Sequence, residues 1–250
     1  MVPAATDGAA LVREAYAAFV SVLEGLGEDD SWRPTGCTGW AVRDLTYHCL
    51  GDARRALVAL HTPSADDADR DAVTYWQDWA PDPVGAAHGR RNARVGASMF
   101  LHWRDLREVY TETALAVTEA ARYADPAARV RTQGHVLAVE DLLSTLAVEA
   151  TIHHLDLTLG LDLTLGLDLT LGLDLTLGLD LTLDPDPGPV APAPAGLAEV
   201  RRVLDGLLGD PPDPGWSDER YARVATGRAA ASAEEARVLG PVLDRFPVFS

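Results

Sequence analysis

Glu149 and His153 stand four residues apart in a stretch whose apolar residues recur at helical spacing. On a helix that spacing puts both side chains on one face, with Cβ atoms about 5–6 Å apart. A carboxylate and an imidazole so placed can share one divalent ion. Two donors rarely hold a metal, and His48 is the candidate for a third. It lies in the middle of an earlier apolar-striped segment, between Tyr47 and Cys49, where an ionisable group wants a partner. Three protein donors with one open position form the pattern of catalytic zinc. A fourth protein ligand would argue against open-site chemistry. Spacing alone permits this site without requiring it. A Glu and a His four apart on a helix also arise by chance, and a single His beside an apolar stripe is more often a core or boundary residue.

Around these three, Asp44 precedes His48 by one turn and Asp156 follows His153 by nearly one. Either can orient a ligand imidazole by accepting its second N–H. Each has a plainer alternative: compensation of helix N-terminal charge for Asp44, a solvated helix end for Asp156. His154 is turned about 100° away from His153 on the helix and is left out. His61, His88, His102 and His135 fall in or near loops or on a mixed helix, where solvated or local roles are expected. Cys49 reads as a small core residue, and Cys37 precedes the helix with no base beside it. Arg43 and Arg228 can hold a substrate carboxylate or make surface salt bridges. Trp76, Trp79 and Trp103 can wall a pocket or pack in the core. Phosphate-cradling glycine loops and a nucleophile elbow are absent from the sequence.

These residues need elements to position them. Asp7 is placed to cap a first helix over about residues 8–26, with Leu11, Ala15, Phe19 and Leu23 on one face. Thr38 is the expected cap of a second, about 40–60, striped by Val42, Leu45, Cys49, Ala53, Ala56 and Leu60. A long third helix is expected over about 92–123. A break at 125–134 follows, and then a fourth helix over about 136–157 carries Glu149 and His153. Four long helices predict an antiparallel bundle, which builds metal sites from facing side chains.

From Leu155 the hexapeptide LDLTLG occurs four times in tandem, followed by LDLTL from Leu179. Identity at every position points to duplication of a short coding unit. Leu at every second position is strand patterning, and each Gly costs a helix roughly 1 kcal/mol relative to Ala. The first copy is expected to finish the fourth helix and the rest to form a β-prone or irregular insertion. The expected organisation is therefore a bundle over 1–160, a repeat insertion and Pro-rich linker over 161–195, and a small helical region over 196–250. In that last region helices are expected near 197–208 and 233–239, the second capped by Ser232.

The chain has 250 residues and a net charge of −17, with 47% hydrophobic and 24% charged residues. That field repels nucleic-acid phosphates and anionic lipid, so neither is an expected partner. Every basic residue is Arg. Two cysteines without a CxxC pair suit a reducing compartment. With no basic, apolar leader and no long uncharged apolar run, the expected location is the cytoplasm.

The segment from Trp32 to His48, WRPTGCTGWAVRDLTYH, resembles the second-helix signature of the mycothiol-dependent maleylpyruvate isomerase family, within the DinB-like metal-binding bundles. The segment from Val148 to Leu157, VEATIHHLDL, resembles the fourth-helix signature of the same family. The two occur in the expected order, and the resemblance covers roughly residues 8–160. It implies that His48, Glu149 and His153 are the ligands of zinc or a similar divalent ion, and that the low-molecular-weight thiol mycothiol is a co-substrate. The implied chemistry is attack of a thiolate on a small electrophile, ending in conjugation or, after bond rotation and thiol release, in cis–trans isomerisation. The stretch from Trp216 onward is similar to a tail found on many relatives and unlike the α/β C-terminal domain of the isomerase itself. The rival expectations are a metal-stabilised helical interaction module without catalysis and a metal-dependent hydrolase. Self-association through the Leu-rich repeats is a further expectation.

Overall fold

A computed structural model of the chain describes residues 7–79, 83–172, 191–209, 211 and 213–248, with the backbone alone at 83, 86 and 162–172. Eight α-helices and one two-stranded sheet are found among the described residues. α1 (Gly8–Glu24) starts on Asp7, whose Oδ1 accepts from the amides of Ala9 and Ala10 at 3.1 and 3.3 Å. α2 (Val42–Leu60) does not start on Thr38. Its N-cap is Ala41, and Asp44 reaches back to accept from the Ala41 amide at 3.0 Å. That bond satisfies one of the donors a helix start leaves open.

The expected third helix is two helices, α3 (Pro83–Ala97) and α4 (Trp103–Tyr123). The chain leaves the helix at Ser98–Phe100, and His102 enters α4 with extended backbone. The expected start of the fourth helix is also corrected. His135–Ala138 is a strand, β2, paired antiparallel with β1 (Arg129–Thr132). Gln133 and Gly134 turn the hairpin with φ of 48° and 87°. Two positive-φ residues in succession form the tight turn that matches strand twist.

α5 then runs from Val139 to Gly172. It passes through the first LDLTLG copy and on through the second and third, where strand or irregular chain was expected. The reason is cooperativity. A helix already formed over its first turns adds one backbone bond per residue without a new nucleus, which offsets the weak propensity of each Gly. The later repeat residues and the start of the Pro-rich linker lie outside the described residues.

α1, α2, α4 and α5 pack on one another around one core. Leu11, Phe19 and Leu23 of α1 meet Leu45, Cys49 and Ala53 of α2, Leu106 and Tyr110 of α4, and Leu142, Leu143, Leu146, Ala147 and Ala150 of α5. Leu157 and Leu161 belong to this core too, so the first residue of the second repeat is part of it.

The opposite face of α5 carries Val148, Ile152 and Leu155 into a second core with α6 (Pro194–Leu208) and α7 (Asp218–Ala225). Gly196 permits the close approach of α6, since a Cβ there would lie 2.3 Å from Thr151 Oγ1. α7 lies where no helix is expected from the sequence; Ser217 caps it by accepting from the Arg220 amide at 3.2 Å. α8 (Ala233–Leu239) is capped by Ser232 as expected. Among the described residues, no helix is long and apolar enough to cross a membrane.

Candidate metal centre

α2 and α5 lie side by side in the first core, and their facing side chains converge. His48 Nε2 stands 3.4 Å from Glu149 Oε1, and His153 Nε2 stands 3.4 Å from the same oxygen. The two imidazole rings meet edge to face with centroids 4.8 Å apart. Trp40, in the turn before α2, packs beside both, 4.9 Å from the His48 ring and 6.4 Å from that of His153. His48 and Glu149 keep 29% and 31% of their side chains exposed against 11% for His153, so the cluster is open to solvent on one side.

A fourth group joins them. Asp52, one turn beyond His48 on α2, brings Oδ2 to 3.2 Å from His48 Nε2. The donor atoms of His48, Asp52, Glu149 and His153 all lie within 4.8 Å of one another. Nothing in the sequence singles out Asp52, although its four-residue spacing from His48 is visible there. Beside the cluster, Tyr16, Cys49, Asp52, Tyr110, Leu146, Glu149 and Ala150 line a partly open cavity of about 10 Å³, room for one water at most.

Of the two candidate orienting carboxylates, Asp156 takes the role and Asp44 caps α2. His153 Nδ1–H donates to Asp156 Oδ2 at 3.0 Å, which turns Nε2 toward Glu149. Asp156 is only 1% exposed and is itself held by Arg228, whose Nε and Nη2 donate to its two oxygens at 2.7 Å each. Arg228 Nη1 donates to the Thr226 carbonyl at 3.2 Å, so this guanidinium is committed to positioning Asp156 rather than free to bind a substrate carboxylate. Gly227, with φ of 75°, turns the chain after α7 and brings Arg228 inward. Cys37 approaches the same group, with Sγ 3.9 Å from His153 Nδ1. Its loop presses on α5: the Gly36 amide donates to the Asp156 carbonyl at 2.7 Å, and a Cβ at Gly160 would lie 2.1 Å from the Pro34 oxygen.

Burial pushes the Glu149 carboxyl up, but the imidazoles of His153 and His48 outweigh it and hold the group below the ordinary carboxylate range. Burial acts likewise on Asp156 and is outweighed by Arg228 and His153. Burial lowers the His48 imidazole. It works the same way on His153, where hydrogen bonds with Asp156, Cys37 and Glu149 raise the imidazole instead. Cys37 and Cys49 are both raised by burial, Cys49 to about 12, so both are thiols at neutral pH.

The other candidates fall elsewhere. His154 is buried against Phe19 in the core. Arg43 lies over the Trp32 ring at 4.1 Å and donates to the Phe100 carbonyl at 3.0 Å. Trp103 is buried and donates through Nε1 to the Leu26 carbonyl at 2.9 Å, Trp76 lies in the second core, and Trp79 is partly exposed beside Tyr75. His61 closes the end of α2, and His135 sits on β2 between Asp69 and Asp78.

The family model described as mycothiol maleylpyruvate isomerase N-terminal domain matches residues 12–158. No curated protein and no solved structure matches the chain significantly. The matched span holds His48, Asp52, Glu149, His153 and Asp156, and ends inside the first hexapeptide copy, whereas Arg228 lies beyond it. By that match over more than half of its length, the chain belongs to the mycothiol maleylpyruvate isomerase N-terminal domain family.

Proposed function

We propose that the protein holds one divalent metal, best suited to zinc, between His48, Glu149 and His153 in a DinB-like four-helix bundle. We further propose that it acts as a mycothiol-dependent transferase or isomerase on a small electrophilic substrate. The observation that carries the reading is the convergence of two imidazoles and a carboxylate at 3.4 Å spacing on the solvent-accessible side of two packed helices. The donors fit the metal by chemistry as well as by position. Two nitrogens and one carboxylate oxygen are the set that zinc accepts with a position left over. His153 has the buried carboxylate partner that metal-ligating histidines require.

When bound, such a metal lowers the pKa of a thiol placed on it, so that a thiolate exists at neutral pH. The chain's own residues supply the rest. Asp156 holds the His153 proton on Nδ1 and turns Nε2 to face the cluster. Arg228 neutralises Asp156, so the buried carboxylate does not have to be protonated. Trp40 forms an apolar wall beside both imidazoles, and the exposed edges of His48 and Glu149 leave a side for entry.

A closed, non-catalytic metal site is the second reading, favoured by Asp52 and by the small volume beside the cluster. Metal analysis followed by a thiol-consumption assay separates the two. Metal-replete protein is expected to consume mycothiol with an electrophile such as maleylpyruvate, or to turn the cis acid into the trans acid with mycothiol recovered. Chelation should abolish this. Metal-replete protein inert to a panel of electrophiles would favour the closed site.

A further inference from the structure

Asp52 is buried to 12% of its side-chain exposure, and its Oδ2 accepts no hydrogen bond from any described residue. Leaving a buried carboxylate oxygen without a donor is costly, so such an oxygen calls for an explanation. The nearby nitrogen is His48 Nε2 at 3.2 Å, out of line for a hydrogen bond. The other oxygen, Oδ1, is paired with Arg55 Nη2 one turn further along α2. The carboxylate is therefore anchored from one side and presents its bare oxygen to the cluster.

The spacing of the donors says what that oxygen is for. Around a tetrahedral zinc with bonds of about 2.0–2.1 Å, neighbouring donor atoms stand about 3.3–3.4 Å apart. The His48–Glu149 and His153–Glu149 pairs are both at 3.4 Å and the His48–Asp52 pair is at 3.2 Å. All four donors fall within 4.8 Å of one another. Three pairs thus have the length of a tetrahedral edge, and Asp52 belongs to one of them. Asp52 and His48 share α2 at four-residue spacing, as Glu149 and His153 share α5. The two helices offer matching pairs, each one carboxylate and one imidazole.

We infer that Asp52 is a fourth donor to the metal when no thiol is bound, making the site an Asp–His pair from α2 and a Glu–His pair from α5. This rests on the metal reading above and goes beyond its three ligands. Arg55 would keep the Asp52 carboxylate paired if a thiol took its place at the metal.

The test is metal affinity, by chelator competition, together with the visible absorption of the cobalt(II)-loaded protein, for wild type, Asp52→Ala, Asp52→Asn and His153→Ala. Circular dichroism of the metal-free forms shows whether each variant folds. Asp52→Ala is expected to weaken binding at least tenfold and to change the cobalt spectrum; Asp52→Asn, which keeps one oxygen, should fall between. Wild-type affinity and an unchanged spectrum in folded Asp52→Ala would overturn the inference, provided His153→Ala loses the metal. If His153→Ala also keeps wild-type affinity, the whole site is misplaced and the inference falls with it. Should Asp52→Ala fail to fold, Asp52→Asn carries the same comparison.

Discussion

Asp156 and Arg228 are 72 residues apart in the chain and meet in a two-pronged ion pair, with both bonds at 2.7 Å. One end of the pair orients the imidazole of His153, and the other is fixed by the turn after α7. The region beyond the matched family domain thus supports the candidate metal centre from behind. Removing one partner of a buried pair leaves the other charged and uncompensated, at a cost of about 3–5 kcal/mol. Arg228→Ala is expected to lower unfolding stability by that order in a denaturant titration. Arg228→Lys should recover little, because a point charge cannot make both bonds. A loss below about 1 kcal/mol would mean that the pair does not hold the C-terminal region to α5.

A second buried carboxylate joins α6 to α5. Glu199 is paired with Arg202 at 2.6 and 2.9 Å and accepts from the Ser144 hydroxyl. Burial pushes its carboxyl up, but Arg202 and Ser144 outweigh it and hold it below the ordinary 4.5. A group depressed in the fold contributes stability above its unfolded pKa, and that contribution is lost as pH falls through the folded value. Glu199→Gln is expected to be less stable than wild type near neutral pH, with the gap closing at about pH 4 and below. A gap that stays constant across that range would contradict the assignment.

The repeats allow a third test. Leu161 is a core residue, so the array cannot simply be cut at its first extra copy. Deleting residues 161–178 removes three whole copies and brings Leu179 into the place of Leu161, followed by the same residues in the same register. Metal content and cooperative unfolding are expected to be unchanged, and any self-association to fall. Loss of metal in that variant would show that the deleted copies contribute to the site.

Much of the site is legible in the sequence because its core is two helical pairs. The four-residue spacing of Glu149 and His153 and the apolar stripe around His48 are local patterns, and local patterns survive without a structure. Asp52 has the same spacing but sits among other charges, with Arg55 as a ready surface partner, so nothing in one dimension separates it from a solvated face. Arg228 and Cys37 reach His153 only through a turn after α7 and a loop lying on α5, and long-range approach of that kind leaves no periodic trace. The break between α3 and α4 and the 129–138 hairpin were hidden in mixed segments. The hexapeptides misled in a different way: period-two Leu reads as strand, but the element already running through Asp156 and Gly160 decides their conformation. That first copy carries the carboxylate that orients His153 and the glycine that admits Pro34, so the duplicated unit is a piece of α5, the helix that carries Glu149 and His153.

The most direct test is the metal content of purified wild-type, His48→Ala, Glu149→Ala and His153→Ala proteins, measured by elemental analysis beside circular dichroism. The three-ligand site requires about one equivalent of zinc or a similar divalent ion per wild-type chain, and loss of stoichiometric metal in each folded variant. Full retention of metal by His153→Ala, with its helical content intact, would contradict it.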